Sequence, residues 1–105
     1  MPAAFFVIRS TVTDATKRKE FDAWYQREHL PDVVTLGATK AWRCWSLTDP
    51  SLHQVTYQFP DEAALERAMK NEDRKRMVAD FDRDWPDVTR TRETFVLAQE
   101  FVRSE

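Results

Sequence analysis

Residues 21–32 read FDAWYQREHLPD, which is the pattern of an amphipathic helix near its end. Phe21, Tyr25 and His29 are spaced four apart, so their side chains lie along one face of that helix. Pro31 is predicted to end the helix at about residue 30, because proline has no N–H group and disfavours helix in the residue before it. Core packing accounts for the aromatic rings but not for a Glu-His pair beside an Asp. We therefore expect a functional site at this helix terminus.

Strand and helix patterns alternate along the rest of the chain. Alternating apolar and β-branched residues predict strands at residues 4–12, 39–47, 53–59 and 91–102. Thr13 or Asp14 can cap the first helix, and Asp61 can cap a second one that breaks near Asn71. A further helical piece ends at Pro86 and carries apolar residues at every fourth position, namely Met77, Phe81 and Trp85.

The order β-α-β-β-α-β indicates a ferredoxin-like α+β fold, in which helices cover one face of a four-stranded antiparallel sheet. Residues 1–105 are expected to form a single domain, because no linker or repeat interrupts them. The core is predicted to contain Phe21, Phe59, Leu65, Met69, Phe95 and Leu97. The second face of the sheet is predicted to mix aromatic and polar side chains, among them Arg9, Arg43, Trp45, Leu47 and Val96. Such a face favours a homodimer with paired sheets.

Charge and composition exclude several classes of protein. The chain of 105 residues has a net charge of −2, so it lacks the overall positive field that attracts nucleic acid. No apolar run is long enough to span a membrane, and the start of the chain does not resemble a signal peptide. Cys44 is the single cysteine and cannot form an internal disulfide, which fits a reducing cytoplasm.

The segment WYQREHLPD at residues 24–32 resembles a stretch of the dimeric α/β-barrel superfamily, in its EthD-like branch. That branch has a similar aromatic-x-x-Glu-His-x-Pro-Asp stretch at the end of helix one, followed by a Gly and the second strand, as Gly37 and residues 40–45 follow here. The resemblance implies two subunits that pair their sheets into an eight-stranded barrel, with a small-molecule pocket in each subunit. Superfamily members include cofactor-free monooxygenases, isomerases, cyclases, dehydratases and haem-degrading enzymes, so fold alone does not choose the chemistry.

His29 is the leading candidate for a catalytic group, because an imidazole with an ordinary pKa of about 6.5 suits proton transfer near neutrality. The alternative is a structural role, in which His29 satisfies carbonyls at a helix C-terminus. Asp32 could orient the imidazole, or it could cap the segment after Pro31. Tyr25 lies one turn before His29 and could donate to a substrate carbonyl, or its ring could belong to the core.

Substrate-binding residues are expected among the aromatic and cationic side chains. The apolar walls of a pocket are expected from aromatic residues, namely Trp24, Trp45, Tyr57 and Trp85. Arg9 and Arg43 could bind a carboxylate or phenolate, or pair with an acid at the dimer interface. No metal is expected, because His29, Cys44 and His53 lack the clustered spacing of metal ligands. No cofactor is expected either, since a single glycine cannot form a phosphate-binding loop.

These residues favour a small cofactor-independent enzyme that acts by proton transfer on a hydrophobic, cyclic or aromatic small molecule. Isomerisation, cyclisation and dehydration need only such groups, and oxygenation is compatible if the substrate supplies the electrons. The alternative is a non-catalytic homodimer that uses the same pocket for binding only. Haem degradation is disfavoured, because superfamily haem oxygenases pair a helix His with pocket Asn and Trp groups, and the only Asn here, Asn71, lies in a charged run.

Overall fold

Four antiparallel strands form one sheet in the order β2-β3-β1-β4, which is the ferredoxin-like arrangement predicted from the sequence. The computed structural model describes residues 2–104. The strands are β1 Ala4–Thr11, β2 Lys40–Trp45, β3 Leu52–Phe59 and β4 Thr89–Val96. The α-helices are α1 Arg18–Trp24, α2 Leu30–Val33, α3 Glu62–Lys70 and α4 Asp73–Asp84. No helix within residues 2–104 is long and apolar enough to cross a membrane.

The first helical segment does not end at Pro31, so that prediction was wrong. Helix α1 continues through a π-helical turn, Tyr25–His29, into α2 and then into a 3₁₀ turn, Val34–Leu36. In the π turn the N–H of Leu30 donates to the carbonyl of Tyr25, five residues earlier. This wider turn places Pro31 at the start of α2, where its missing N–H costs little. Residues 32–35 are therefore helical.

Two aspartates begin helical segments at the predicted positions. The carboxylate of Asp14 accepts a hydrogen bond from the backbone N–H of Thr16 at 3.0 Å, at the start of a 3₁₀ turn that leads into α1. Asp61 accepts from the N–H of Ala64 at 2.8 Å and caps α3. Asn71 has extended backbone and ends α3, as predicted. Capping by Asp14 and Asp61 thus fixes where the helical segments that contain α1 and α3 start.

The predicted core is correct for the helices and β3 but not for β4. Phe21, Phe59 and Leu65 are buried, and Met69 is half-buried against them. Phe95 pairs with Phe5 of β1 and lies on the face away from the helices, where it is 48% exposed. Strand β4 ends at Val96, so Leu97 lies beyond it. A shift of one residue in a strand exchanges its two faces, which explains this error.

The same one-residue shift exchanges the predicted faces of β2. Arg43 and Trp45 pair with Val55 and His53, whose side chains face the helices, so both lie on the helix side rather than on the second face. Val96 also lies on the helix side, because it pairs with the buried Ala4. The face of the sheet that points away from the helices is called the open face below. It carries other apolar side chains, namely Phe5, Val7, Trp42 and Phe95.

Candidate functional site

His29 lies in the π turn and is enclosed by aromatic rings. Its ring stacks on Trp24 with centroids 4.7 Å apart and planes inclined by 18°. The edge of Tyr25 is 5.0 Å away and that of Phe81 is 5.6 Å away, between centroids. Only 4% of His29 is exposed, so the imidazole is held in one orientation by rings rather than by solvent.

The imidazole of His29 is uncharged at neutral pH. Burial, reinforced by the charge of Arg90, lowers the pKa of His29 to about 4. Within residues 2–104 no group hydrogen-bonds to its ring. A neutral imidazole has one nitrogen with a free lone pair, so His29 is able to accept a proton.

Asp32 is directed to α4 rather than to His29. Its two carboxylate oxygens accept hydrogen bonds from the guanidinium of Arg76 at 2.9 and 3.0 Å. Arg76 also contacts Asp73 and Asp80, so the four side chains form a network on the surface. Asp32 is close enough for its charge to raise the pKa of His29 slightly against burial, but it makes no hydrogen bond to the ring. No direct contact between Asp32 and the imidazole therefore supports the predicted orienting role.

Two phenols lie in the core beneath the π turn. Tyr25 and Tyr57 are fully buried, and neither hydroxyl makes a hydrogen bond of good geometry within residues 2–104. The hydroxyls are near enough to influence each other's pKa. Burial raises the pKa of Tyr25 to about 12 and that of Tyr57 well above its ordinary value. Both phenols therefore stay protonated and are available as hydrogen-bond donors.

Arg43 ties α1 to the sheet through a polar network. Its Nη1 donates to Oδ1 of Asp22 at 2.9 Å and to Nε2 of His53 at 3.1 Å. The indole N–H of Trp45 donates to the same oxygen of Asp22 at 2.8 Å. Because a guanidinium only donates, Nε2 of His53 is the acceptor and its proton is on Nδ1. Burial and the charge of Arg43 lower the pKa of His53 to about 4, which is consistent with this neutral form.

Three arginines line a cleft between the sheet, the π turn and α4. This arginine cleft is bordered by Arg74, Arg90, Arg92 and His29, with apolar walls that include Phe6 and Met77. Its free volume of about 20 Å³ suits about one water molecule. Burial and repulsion by Arg92 lower the pKa of both Arg74 and Arg90. The cleft is therefore apolar and strongly positive.

The structure brings most of the predicted site residues to the helix side of the sheet. This group contains Trp24, Tyr25, His29, Arg43, Trp45, Tyr57 and Trp85. Arg9 lies on the opposite face, where it donates to Gln54 at 2.8 Å, so it is separated from the others by the sheet. Within residues 2–104 no group of three or more His, Cys, Asp and Glu side chains is placed to hold a metal ion.

Sequence reasoning missed the arginines of β4 and the partners of Arg43. Residues 89–92 read TRTR, and this alternation places Arg90 and Arg92 on one face of the strand. His53 was considered only as a metal ligand, and Asp22 was not considered as a partner of Arg43. The TRTR pattern was a usable signal, whereas the Asp22 contact depends on the packing of α1 against β2.

No protein-family model matches the sequence, and no curated protein matches it. Solved structures nevertheless share its fold. SnoaB of Streptomyces nogalater, a cofactor-independent oxygenase, is 16% identical with a TM-score of 0.74, over 98% of this chain and 100% of that one. A dimeric ferredoxin-like protein from an uncultured marine organism is 16% identical with a TM-score of 0.71, over 96% and 100%.

An EthD family protein from Bacillus halodurans is also similar, at 16% identity and a TM-score of 0.63, over 89% of this chain and 97% of that one. At such low identity the similarity shows the fold alone. It confirms the expected ferredoxin-like fold.

Proposed function

We propose that this protein is a small, cofactor-independent enzyme that transfers a proton on a hydrophobic, cyclic or aromatic small molecule. The observation that carries the proposal is His29, which is neutral, buried, adjacent to the arginine cleft and without a hydrogen bond at its ring from any residue that the structure describes. A neutral imidazole with a free lone pair accepts a proton, and an anionic substrate beside it would raise the pKa of His29 towards the neutral range that favours proton transfer. Structural similarity to a cofactor-independent oxygenase supports the same class of chemistry without establishing it.

The proposed step begins with a C–H bond next to a carbonyl group. His29 accepts the proton and becomes an imidazolium, while the bonding electrons move to the carbonyl oxygen as an enolate. The positive charge of the arginine cleft stabilises that oxygen, which is the main way in which such sites accelerate proton abstraction. Return of the proton to another carbon gives isomerisation, and loss of a leaving group gives dehydration. In an oxygenation, the enolate itself supplies electrons to molecular oxygen.

We also propose that the active form is a homodimer that pairs the open faces of two sheets. Trp42 is 39% exposed and Phe95 is 48% exposed on this face, although large aromatic side chains are usually covered. Fold neighbours that are called dimeric ferredoxin-like proteins support the same arrangement. Cys44 is free and exposed, which fits the reducing cytoplasm that we propose as its location.

Proton–deuterium exchange tests the proposed chemistry before a natural substrate is known. The probe is β-tetralone in D₂O, a bicyclic aromatic ketone with acidic C–H bonds, followed by NMR. The wild-type protein should accelerate exchange, and His29→Phe should lose that acceleration by roughly a hundredfold or more. Gln26→Ala is the matched control, because Gln26 lies in the same π turn but is exposed. A folded His29→Phe protein with full exchange activity would remove His29 from the proposal.

The non-catalytic alternative has one observation in its favour. The arginine cleft has free room for about one water, so a substrate must displace side chains before it occupies the cleft. A pure binding protein would bind apolar ligands but leave the rate of β-tetralone exchange equal to that in buffer. The same experiment therefore separates the two functions.

A further inference from the structure

The three arginines of the cleft are poorly matched by negative charge. Arg90 is 8% exposed at its side chain and contacts Asp82 at 3.3 Å, whose carboxylate is mostly in solvent. Arg74 donates to the backbone carbonyl of Met69 at 3.4 Å. Within residues 2–104 no acidic side chain pairs with Arg74 or Arg92. Arg74 and Arg90 are half-buried and Arg92 is exposed. Half-buried cations with little or no compensating negative charge are costly, and proteins seldom keep them without a partner.

Aromatic rings hold two of these cations, Arg74 and Arg90, in place without neutralising them. The guanidinium of Arg90 lies 3.8 Å from the ring centroid of Phe81, and that of Arg74 lies 5.5 Å from the ring of Phe6. Cation–π contacts fix the positions of the groups but leave their hydrogen-bond donors free. The rings also form apolar surface beside the charges. A matching ligand therefore needs both an anionic oxygen and an apolar body.

We propose that the arginine cleft binds the anionic oxygen of a small ring-containing molecule, a carboxylate or a phenolate, at Arg74, Arg90 and Arg92. A planar guanidinium matches a carboxylate with two parallel hydrogen bonds, and it also suits a single phenolate oxygen. The buried hydroxyls of Tyr25 and Tyr57 lie within the electrostatic field of Arg90.

The size of the cleft decides how such a ligand enters. Free room for about one water does not accept an aromatic ring, so side chains must move on binding. Arg74 and Met77 are long and unbranched, and residues of this kind rearrange at modest cost. The anionic group then replaces the missing negative charge, while the ring packs against the apolar wall.

This inference rests on the proposed function, because it names the substrate class of the same site. Equilibrium binding tests this inference without any turnover. The anion site and the proposed catalytic function can therefore fail separately. Calorimetry compares benzoate and para-nitrophenolate with benzamide, which has the shape of benzoate but no charge, and with inorganic phosphate, which has charge but no ring. Benzoate or para-nitrophenolate should bind, and the tighter of the two identifies the anion. Benzamide binding as tightly as benzoate, or phosphate binding as tightly as either ring compound, overturns the proposal.

Variants locate the binding. Arg90→Gln should weaken benzoate binding roughly tenfold to a hundredfold, the loss of a charge-assisted hydrogen bond. Arg92→Gln provides the same test at an exposed position if Arg90→Gln does not fold. Arg67→Gln is the matched control, because it removes an equal charge from the exposed side of α3. Equal affinities in Arg67→Gln and the cleft variants would contradict the assignment.

The two histidines provide an internal check on where the ligand binds. His29 borders the cleft, whereas His53 lies in the Arg43 network outside its lining. In NMR spectra, added benzoate should shift the ring signals of His29 more than those of His53. A larger shift at His53 would place the ligand elsewhere and refute the assignment.

Discussion

A fall in pH from 7 to 5 should destabilise this protein, because both of its histidines are buried and uncharged. Burial is the main cause that lowers the pKa of His29 and of His53 to about 4. In an unfolded chain a histidine titrates near about 6.5. Between these two values the unfolded state binds more protons than the folded state, so the free energy of unfolding decreases as the pH falls. The stabilisation is complete above pH ~6.5 and is lost progressively towards pH ~4.

The size of the effect follows from the two pKa values. At about 1.36 kcal/mol per pKa unit, each histidine lowers the free energy of unfolding by about 2 kcal/mol between pH 7 and 5. The two together give at most about 4 kcal/mol, a large part of the roughly 5–15 kcal/mol typical of a domain. The hydrogen bond from Trp45 also lowers the pKa of Asp22, so that carboxylate adds a loss of the same sign, but only at lower pH.

Urea unfolding at pH 7, 6 and 5, followed by tryptophan fluorescence at one protein concentration, measures this loss. His29→Gln and His53→Gln should each retain about half of the pH dependence, whatever their absolute stability. Gln26→Ala should retain all of it, because Gln26 is exposed. The reasoning is refuted if the wild type loses less than about 1 kcal/mol, or if both histidine variants keep the full pH dependence.

Three further changes test the packing. Leu65→Ala should lower the free energy of unfolding by roughly 2–5 kcal/mol, because Leu65 is buried. The control Leu47→Ala, at an exposed position, should change it by less than about 0.5 kcal/mol. Equal losses in the two variants would mean that α3 is misplaced. Asp22→Asn should cost about 1–3 kcal/mol in urea unfolding, because it weakens the contact with Arg43, and no loss would make that contact incidental. Light scattering should give twice the 12.4 kDa chain mass for the wild type and a lower mass for Trp42→Glu; a monomeric wild type contradicts the dimer.

The order of helices and strands could be predicted from the sequence because residues at the ends of the elements mark where they start and stop. Asp14 and Asp61 precede helical patterns, and both accept hydrogen bonds from the first turn of their helical segments. Asn71 and Pro86 follow the last turns of α3 and α4. Local signals of this kind do not depend on the rest of the fold, so the helix boundaries that they predict agree with the structure.

The faces of β2 and β4 could not be read reliably, because both edge strands mix apolar and charged residues on each side. Trp42 and Trp45 are on opposite faces, and so are Phe95 and Val96, which means that hydrophobicity alone does not fix which face is inward. The pairing register with β1 and β3 decides it. The arginines of the cleft depend on the same register, and this is why they were not predicted.

The π turn explains why the site differs from a simple helical pattern. With 3.6 residues per turn, residues five apart on an α-helix point about 140° away from each other, so Trp24 and His29 could not stack. The π turn Tyr25–His29 is wider, and the two rings lie parallel with centroids 4.7 Å apart. Trp24 thereby covers His29, and the burial that lowers the pKa of His29 follows from this contact. The feature that allows Pro31 inside the helical segment is thus the same one that creates the neutral, enclosed imidazole.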